Sequence, residues 1–227
     1  MNRPIIIAPS MLAANFASLG AEARRACEAG ADWLHLDIMD GHFVPNISFG
    51  PAVVAMMRKE VPSATLDVHL MIDQPERYIR DFVKAGADIL TIHLEAHHDV
   101  RASLKLIQDL GCKAGLAINP PTMVKNVFPF LSSIDLLLCM TVNPGFGGQS
   151  FVTSVLDKVK EVRQFCKEQN LNIDIEVDGG VNFETASLAC EAGANVFVAG
   201  TALFRESDMQ AAIRTMRERA TSSIASR

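Results

Sequence analysis

The stretch "ACEAGADWLHLD", residues Ala26–Asp37, joins the end of an amphipathic helix pattern to a short apolar strand pattern. Two clear copies follow, "VKAGADILTIH" at Val83–His93 and "ACEAGANVFVAG" at Ala189–Gly200, and "LGCKAGLAIN" at Leu110–Asn119 is a looser one. The glycine in each copy fits the left-handed position that ends many helices. The chain therefore repeats a unit in which a strand follows a helix.

The spacing of the copies indicates how many units the chain contains. Gly30 and Gly86 are 56 residues apart, and Gly86 and Gly193 are 107 apart. These intervals are close to two and four units of about 27 residues, so 227 residues hold about eight units. This predicts an α/β fold, a single (β/α)₈ TIM barrel domain spanning residues 1–227. An open doubly wound sheet alternates in the same way, but no GxGxxG follows the first strand, which weakens a dinucleotide-binding version.

The alternation of patterns predicts a parallel sheet with right-handed crossovers. The predicted strands are Ile5–Ala8, Trp33–Asp37, Thr65–His69, Ile89–His93, Lys113–Ile118, Leu136–Met140, Asp174–Asp178 and Val196–Ala199. The predicted helices are Phe16–Ala29, Pro51–Glu60, Pro75–Ala85, Val100–Leu110, Val152–Gln169, Phe183–Glu191 and Ser207–Ala220.

Composition excludes several classes of function. The chain is 49% hydrophobic, which suits one sizeable core, and its formal charge of -5 argues against nucleic acid as a partner. No stretch approaches the roughly 18 apolar residues of a membrane span, and the N-terminus does not resemble a signal peptide. The five cysteines show no CxxC spacing, which predicts reduced thiols in a cytoplasmic protein. A small anionic ligand remains possible, because backbone amides bind phosphate without a basic surface.

Polar residues interrupt three of the apolar strands. His35 and Asp37 are two residues apart, which places both side chains on the same side of a strand. His69 occupies the third strand, and Asp178 ends the seventh. One side of every barrel strand faces the lumen, so we expect these four side chains to converge at the C-terminal end of the barrel.

Charged groups in such a place are costly unless they are paired. A hydrogen-bonded pair inside the core would explain His35 and Asp37 alone, but not the matching groups on two further strands. Two imidazoles and two carboxylates predict one divalent metal ion per subunit, and they suit Fe²⁺, Zn²⁺, Mn²⁺ or Co²⁺ alike. The predicted ligands are His35, Asp37, His69 and Asp178.

Glycine-rich turns follow the last three strands. They are "NPGFGGQS" at Asn143–Ser150, "DGGV" at Asp178–Val181 and "AGTALF" at Ala199–Phe204. Barrel enzymes often bind phosphate with the loops after strands seven and eight, where glycine lets backbone N–H groups approach the anion. The joint placement predicts a phosphate site. Ser10, after strand one, either hydrogen-bonds substrate or caps its turn.

Three methionines stand near these strand ends, namely Met39, Met71 and Met140. They either fill the core or form a soft apolar collar around a negatively charged intermediate. His93 also ends a strand and could line the site, whereas His97 and His98 belong to a polar segment.

Six motifs in order resemble the ribulose-phosphate 3-epimerase family. They are "IAPSMLAANF", "HLDIMDGHFVPN", "DVHLM", "VNPGFGGQSF", "EVDGGV" and "VAGTALF", and they fall on nearly every barrel unit. The resemblance implies a TIM barrel of the ribulose-phosphate-binding type. It implies an isomerase that interconverts D-ribulose 5-phosphate and D-xylulose 5-phosphate through a metal-stabilised enediolate.

The resemblance also implies roles for individual residues. Asp37 and Asp178 would be the two acid/base residues, and the four predicted ligands would bind the metal. Met39, Met71 and Met140 would shield the enediolate. Thr201 departs from the serine common at its position but keeps a hydroxyl. Substrate would contact Ser10, His69, Gly145, Phe146, Gly147, Gly148, Asp178, Gly179, Gly180, Gly200 and Thr201.

Elementary chemistry supports a pair of acids. Inverting a carbon next to a carbonyl requires removing a proton from one face and returning one to the other, which two carboxyl groups on opposite faces achieve.

The family further implies a homo-oligomer acting in carbohydrate metabolism, in the pentose phosphate pathway or in carbon fixation. Alternatives are a hexulose-phosphate 3-epimerase acting on allulose 6-phosphate, a non-catalytic sugar-phosphate sensor, and a lyase or decarboxylase of the same barrel group.

Overall fold

Eight parallel strands form the centre of the molecule in the computed structural model, which describes residues 3–225, with side chains through residue 222. Each strand pairs with its neighbours in the order β1-β8-β7-β6-β5-β4-β3-β2. This confirms the predicted TIM barrel. The strands are β1 Ile6–Pro9, β2 Trp33–Met39, β3 Thr65–Met71, β4 Ile89–His93, β5 Lys113–Ile118, β6 Leu136–Met140, β7 Asp174–Asp178 and β8 Val196–Ala199.

Helices surround the strands and largely match the predicted ones. Two α-helices after β8 replace the single one predicted, and after β5 only 3₁₀ helices occur among the described residues, at Val124–Asn126 and Phe128–Ser133. The helices are α1 Leu19–Glu28, α2 Pro51–Glu60, α3 Ile79–Ala85, α4 Val100–Asp109, α5 Val155–Glu168, α6 Phe183–Ala192, α7 Thr201–Phe204 and α8 Met209–Ala225.

Two segments predicted as α-helix begin as 3₁₀ helices. The segment predicted as Pro75–Ala85 begins as a 3₁₀ turn, and Gln74 before it has a left-handed φ of 50°. The segment predicted as Phe16–Ala29 also begins as a 3₁₀ helix, at Phe16–Ser18. By contrast, Gly86 and Gly193 end α3 and α6 with φ of 112° and 113°, as predicted for helix-ending glycines.

The barrel closes between β1 and β2. A parallel bridge between Ser10 and His35 joins the end of β1 to β2, whereas every other neighbouring pair forms a longer ladder. Closure therefore depends on this bridge together with the hydrogen bonds between Ile7 and Asp32, the residue before β2. The described residues contain no helix long and apolar enough to cross a bilayer.

Strand alternation separates two kinds of packing. On β2, Leu34 and Leu36 face outward and belong to the large core cluster between barrel and helices, while His35 and Asp37 face the lumen. An apolar layer fills the lumen near the amino ends of the strands, where its members expose at most 2% of their surface: Ala8, Ile89, Leu136, Val196 and Val198. The polar lumen residues are therefore accessible only from the carboxyl end.

Candidate active site

A cavity of about 520 Å³ opens at the carboxyl end of the barrel. Its size is that of an ordinary small-molecule site. The glycine-rich loops form one side, and acidic and apolar side chains form the floor. Predicted site residues on its wall are Ser10, Asp37, Met39, Met71, Met140, Gly145, Phe146, Gly147, Gly148, Asp178, Gly179, Gly180, Gly200 and Thr201.

The four predicted metal ligands come together at this floor. Asp37 on β2 is in register with His69 on β3, while Asp178 reaches them from β7 on the other side of the lumen. One ligand atom from each of these residues and from His35 lies within 4.8 Å of the others. His69 Nδ1 is 3.4 Å from Asp37 Oδ1 and 4.0 Å from Asp178 Oδ2.

His35 has the orientation that a metal ligand needs. Its Nδ1 lies 2.6 Å from Asp67 Oδ2, so this nitrogen is committed to a carboxylate behind the ring. Its Nε2 lies 3.2 Å from Asp37 Oδ1, yet it has no hydrogen-bond partner of good geometry among the described residues. A buried nitrogen directed at a carboxylate, and held by a second carboxylate behind it, fits coordination of a divalent cation.

The pKa values of Asp37 and Asp178 shift in opposite directions because the two buried carboxyl groups have different charged neighbours. Burial, together with the charges of Asp37 and Asp67, raises the pKa of Asp178 to about 7, a rise that the charge of His35 partly offsets. Burial would raise the pKa of Asp37 too, but the charge of His35 and the hydrogen bond from His35 bring it well below its usual range. The two carboxyl groups thus differ in protonation near neutral pH.

The imidazoles diverge in the same way. Burial lowers the pKa of His69 to about 4, so its ring is neutral. Burial also opposes charge on His35, but the carboxylates of Asp37 and Asp67 outweigh it and raise its pKa well above the usual value. A site that attracts a proton this strongly attracts a metal cation by the same field, and metal binding would release that proton.

Ser10 contributes through Asp37. Its hydroxyl donates a 2.6 Å hydrogen bond to Asp37 Oδ2, which leaves Oδ1 directed toward the two histidines. Ser10 also lines the cavity, so the structure places it both against Asp37 and within reach of a bound molecule.

The predicted substrate contact His69 lies deeper than the cavity wall. Its side chain has no exposed surface, and its neighbours are Asp37, Asp178 and His93. The structure thus places His69 among the predicted metal ligands, behind the cavity wall.

The glycine-rich loops are tied together by backbone contacts. Gly180 has a φ of +67°, and a Cβ there would lie 2.6 Å from Phe151 N and 2.8 Å from Gln149 O. The Asn46 amide donates to Gly145 O at 2.7 Å and links the loop after β2 to the loop after β6. The loops after β2, β6 and β7 are therefore connected along the rim of the cavity.

Sequence reasoning missed several residues around the site. Asn46 ends the "HLDIMDGHFVPN" motif, but no spacing rule indicates its partner 99 residues away. Arg205 lines the cavity beside the loop after β8 and follows the "AGTALF" motif directly. Glu95 lies two residues beyond His93, a spacing that on an extended chain could have linked the two. Glu176 lies on β7 two residues before Asp178, and it is fully buried near His35 and Asp67.

Comparison with known proteins agrees with this geometry. The sequence profile described as the ribulose-phosphate 3 epimerase family matches residues 6–204. The chain belongs to this family. It is 51% identical over 214 residues to ribulose-phosphate 3-epimerase of Bacillus subtilis (strain 168), covering 94% of this chain and 98% of that one. It is 46% identical to the enzyme of the same name from Escherichia coli (strain K12), covering 93% of this chain and 94% of that one. The predicted epimerase class is thereby confirmed.

Solved structures of low identity share the fold. The 3-hexulose-6-phosphate synthase of Salmonella typhimurium superimposes with a TM-score of 0.72 at 13% identity, covering 96% of this chain and all of that one. The 3-keto-L-gulonate-6-phosphate decarboxylase of Vibrio cholerae superimposes with a TM-score of 0.70 at 18% identity, covering 97% and 99%. At these identities the likeness is one of barrel architecture, while the chemistry must be argued from the site.

Proposed function

We propose that this member of the family inverts carbon 3 of a ketopentose phosphate and so interconverts D-ribulose 5-phosphate and D-xylulose 5-phosphate. The observation that carries the proposal is the pair Asp37 and Asp178, which lie in one cluster yet have pKa values shifted in opposite directions. A base and an acid held together in this way are what inversion next to a carbonyl requires. The names of the close relatives supply the substrate.

The proton transfers follow from the protonation states. Asp37, ionised and oriented by Ser10, removes the proton from carbon 3 on one face. Asp178, whose raised pKa of about 7 keeps a large fraction of it protonated at neutral pH, returns a proton to the opposite face. Afterwards Asp37 is protonated and Asp178 is ionised, so the reverse reaction runs with the roles exchanged.

The intermediate between the two transfers is an enediolate. A divalent cation bound by His35, Asp37, His69 and Asp178 would act as a Lewis acid and stabilise negative charge on the substrate oxygens. Met39, Met71 and Met140 line the same cavity and are at least 96% buried, so they keep bulk water from the reacting carbon.

The phosphate group would bind at the glycine-rich loops that line the cavity. The loops around Gly145–Gly148, Gly179–Gly180 and Gly200–Thr201 offer backbone N–H groups on one side of the cavity, and Arg205 lies beside them. A phosphate held there would orient the sugar so that carbon 3 faces the carboxyl groups. Thr201 supplies a hydroxyl in the same place.

The test is the substitution Asp178→Asn, which keeps the shape of the side chain and removes the acid. We expect the variant to fold and bind a substrate analogue, and to lose at least about 10³-fold in kcat, in the range of a missing acid/base group. The matched control is Asp174→Asn on the same side of β7, where Asp174 pairs with Arg3 far from the cavity. Substantial epimerisation by Asp178→Asn would remove Asp178 from the mechanism.

Two further measurements separate the alternatives. Solvent deuterium entering carbon 3 without carbon–carbon cleavage distinguishes an epimerase from a lyase or decarboxylase. A preference for D-allulose 6-phosphate over D-ribulose 5-phosphate in kcat/KM would assign the site to a hexulose phosphate instead.

Self-association and a cytoplasmic location belong to the same proposal. Large apolar side chains are exposed near the rim, with Ile47 exposing 76% and Phe16 54% of their surface, which favours burial against another subunit. The cysteines show no CxxC spacing, which favours reduced thiols in a reducing compartment. Light scattering and cell fractionation test these two points.

A further inference from the structure

We propose that His93 and Glu95 are positioning residues that set the tautomer of His69, so that its Nδ1 presents a lone pair to the metal cluster. The inference rests on the proposed function in one respect only, namely that His69 is a metal ligand. Neither residue touches the cavity that would hold the substrate, and His93 and Glu95 act through His69 alone.

The first link joins two buried imidazoles. His69 Nε2 lies 2.8 Å from His93 Nε2, and both side chains are inaccessible to solvent. Two neutral ring nitrogens at this distance share a single hydrogen, so one ring donates and the other accepts. If His69 donates through Nε2, its Nδ1 is bare and can coordinate a cation. If His69 accepts, its Nδ1 carries the hydrogen and cannot.

Glu95 decides between these two arrangements. One of its carboxylate oxygens lies 3.1 Å from His93 Nδ1. The other accepts from the Asn119 backbone N–H at 2.8 Å and from the Thr122 hydroxyl. An ionised carboxylate can only accept hydrogen bonds, so the hydrogen of His93 must be on Nδ1. His93 Nε2 is then the acceptor, and His69 must donate to it.

The surroundings of Glu95 keep it in this role. Lys158 donates through Nζ to the backbone carbonyls of Asn119, Pro120 and Thr122, which holds the loop that contacts Glu95. Burial opposes ionisation of Glu95, but the hydrogen bonds from His93 and from the Asn119 backbone outweigh it and lower its pKa. Phe43 packs on the His93 ring with centroids 4.6 Å apart and restricts its rotation.

The chain of contacts therefore runs from Glu95 through His93 to His69. His69 Nδ1 ends it, 3.4 Å from Asp37 Oδ1 and 4.0 Å from Asp178 Oδ2. Glu95 is thus to His69 what Asp67 is to His35, a carboxylate behind the ring, except that the His93 imidazole lies between Glu95 and His69. Carboxylates behind ligand histidines fix ring orientation and strengthen metal binding.

The direct test is nitrogen NMR of the full-length protein labelled with ¹⁵N-histidine, after chelation of metal. We expect His69 with its hydrogen on Nε2 and His93 with its hydrogen on Nδ1. In Glu95→Leu the constraint is lost, and we expect the His69 signal to shift toward the other tautomer or a mixture. Glu95→Gln, whose carbonyl can still accept from His93, should restore the wild-type tautomer at least in part.

A matched control and a metal titration complete the design. Asp73→Asn removes the carboxylate from an exposed pair, His97 Nδ1 to Asp73 Oδ1 at 2.9 Å, and should leave the His69 signal unchanged. Competition with a chromophoric chelator for Zn²⁺ should show affinity weakened about 10–100-fold in Glu95→Leu and unchanged in Asp73→Asn.

The outcomes are separable from those of the proposed function. A hydrogen on Nδ1 of His69 in the wild-type protein overturns the inference without any variant, as does an unchanged tautomer in folded Glu95→Leu. Failure of the wild-type protein to bind Zn²⁺ would instead count against the proposed metal site, whichever tautomer the NMR spectra report.

Discussion

At the scale of single residues, the site contains carboxyl and imidazole groups whose charged forms are disfavoured by burial. Asp37 and Asp178 lie in the same cluster, but Asp37 receives hydrogen bonds from Ser10 and contacts both histidines, whereas Asp178 faces mainly like charge. Their pKa values separate because of these neighbours. Period-two spacing on the strands was enough to predict His35, Asp37, His69 and Asp178 together.

The same pattern could not assign every buried group. Glu176 shares the side of β7 with Asp178, yet its neighbours Asp67 and His35 come from other strands, and strand register determines that contact. Burial, followed by the charge of Asp67, raises the pKa of Glu176 well above its usual value. The sequence predicts on which side of a strand a side chain lies, whereas the pairing between strands determines which side chains it contacts.

The raised pKa of Asp178 predicts a pH effect on stability. Its pKa is about 7 in the folded protein against 3.8 in an unperturbed chain. Between these values the folded state holds a proton that the unfolded state releases, so the contribution of this group to stability falls as pH rises from about 4 to about 7. We expect metal-free Asp178→Asn, whose amide does not ionise, to gain stability over wild type across this window, by an amount on the order of a few kcal/mol at pH 8.

Urea unfolding in the presence of a chelator, repeated from pH 4 to pH 8, measures this difference. His69, whose pKa is lowered to about 4 mainly by burial, gives the opposite slope, but it is present in both proteins and largely cancels. A difference between the two proteins that does not change with pH would show that Asp178 ionises normally in the fold.

At the scale of elements, the strands were predictable and the loops only in outline. For six of the eight strands, both ends lie within one residue of the predicted ends. Buried parallel strands are short apolar runs bounded by glycine and polar residues, which makes their ends readable. The 3₁₀ turn at Pro75–Arg77 was missed, since the apolar periodicity continues through it. The contact between the glycine loops also depends on partners distant in sequence.

Substitution of Gly180 tests whether its close approach to the Phe151 backbone determines the shape of the cavity rim. Gly180→Ala would place a Cβ 2.6 Å from Phe151 N at a left-handed φ, so backbone must move. We expect a loss of stability of about 1–3 kcal/mol and a rise in KM for the sugar phosphate larger than the fall in kcat. Thermal unfolding and steady-state kinetics measure the two effects.

Gly147→Ala is the steric control for folding stability. A Cβ at Gly147 meets no atom within 4 Å, and its φ lies outside the left-handed region. Its Tm should stay close to that of wild type. Equal destabilisation by both substitutions would mean that loop entropy, and not the contact with Phe151, governs the effect at Gly180.

At the scale of the whole molecule, the number and order of units followed from the repeat alone. The repeat does not show which pair of neighbouring strands is joined by the fewest backbone pairings, because that depends on the register between strands. β1 and β2 are joined by the Ser10–His35 bridge, while the predicted metal ligands come from β2 and β3 on one side and from β7 on the other. A cation would therefore connect strands on both sides of the seam between β1 and β2.

This arrangement predicts that a divalent ion stabilises the entire barrel. An ion at about 100 times its Kd contributes about 2.7 kcal/mol if it binds only the folded state. For a chain of this size that corresponds to a rise in Tm of roughly 5–10 °C. Differential scanning calorimetry of the chelated protein, with and without Zn²⁺ or Mn²⁺, measures it. His69→Asn should lose most of the rise, because one of the four ligands is gone. An equal rise in wild type and His69→Asn would place the ion elsewhere and leave the seam closed by the protein's own contacts, the Ser10–His35 bridge and the Ile7–Asp32 hydrogen bonds.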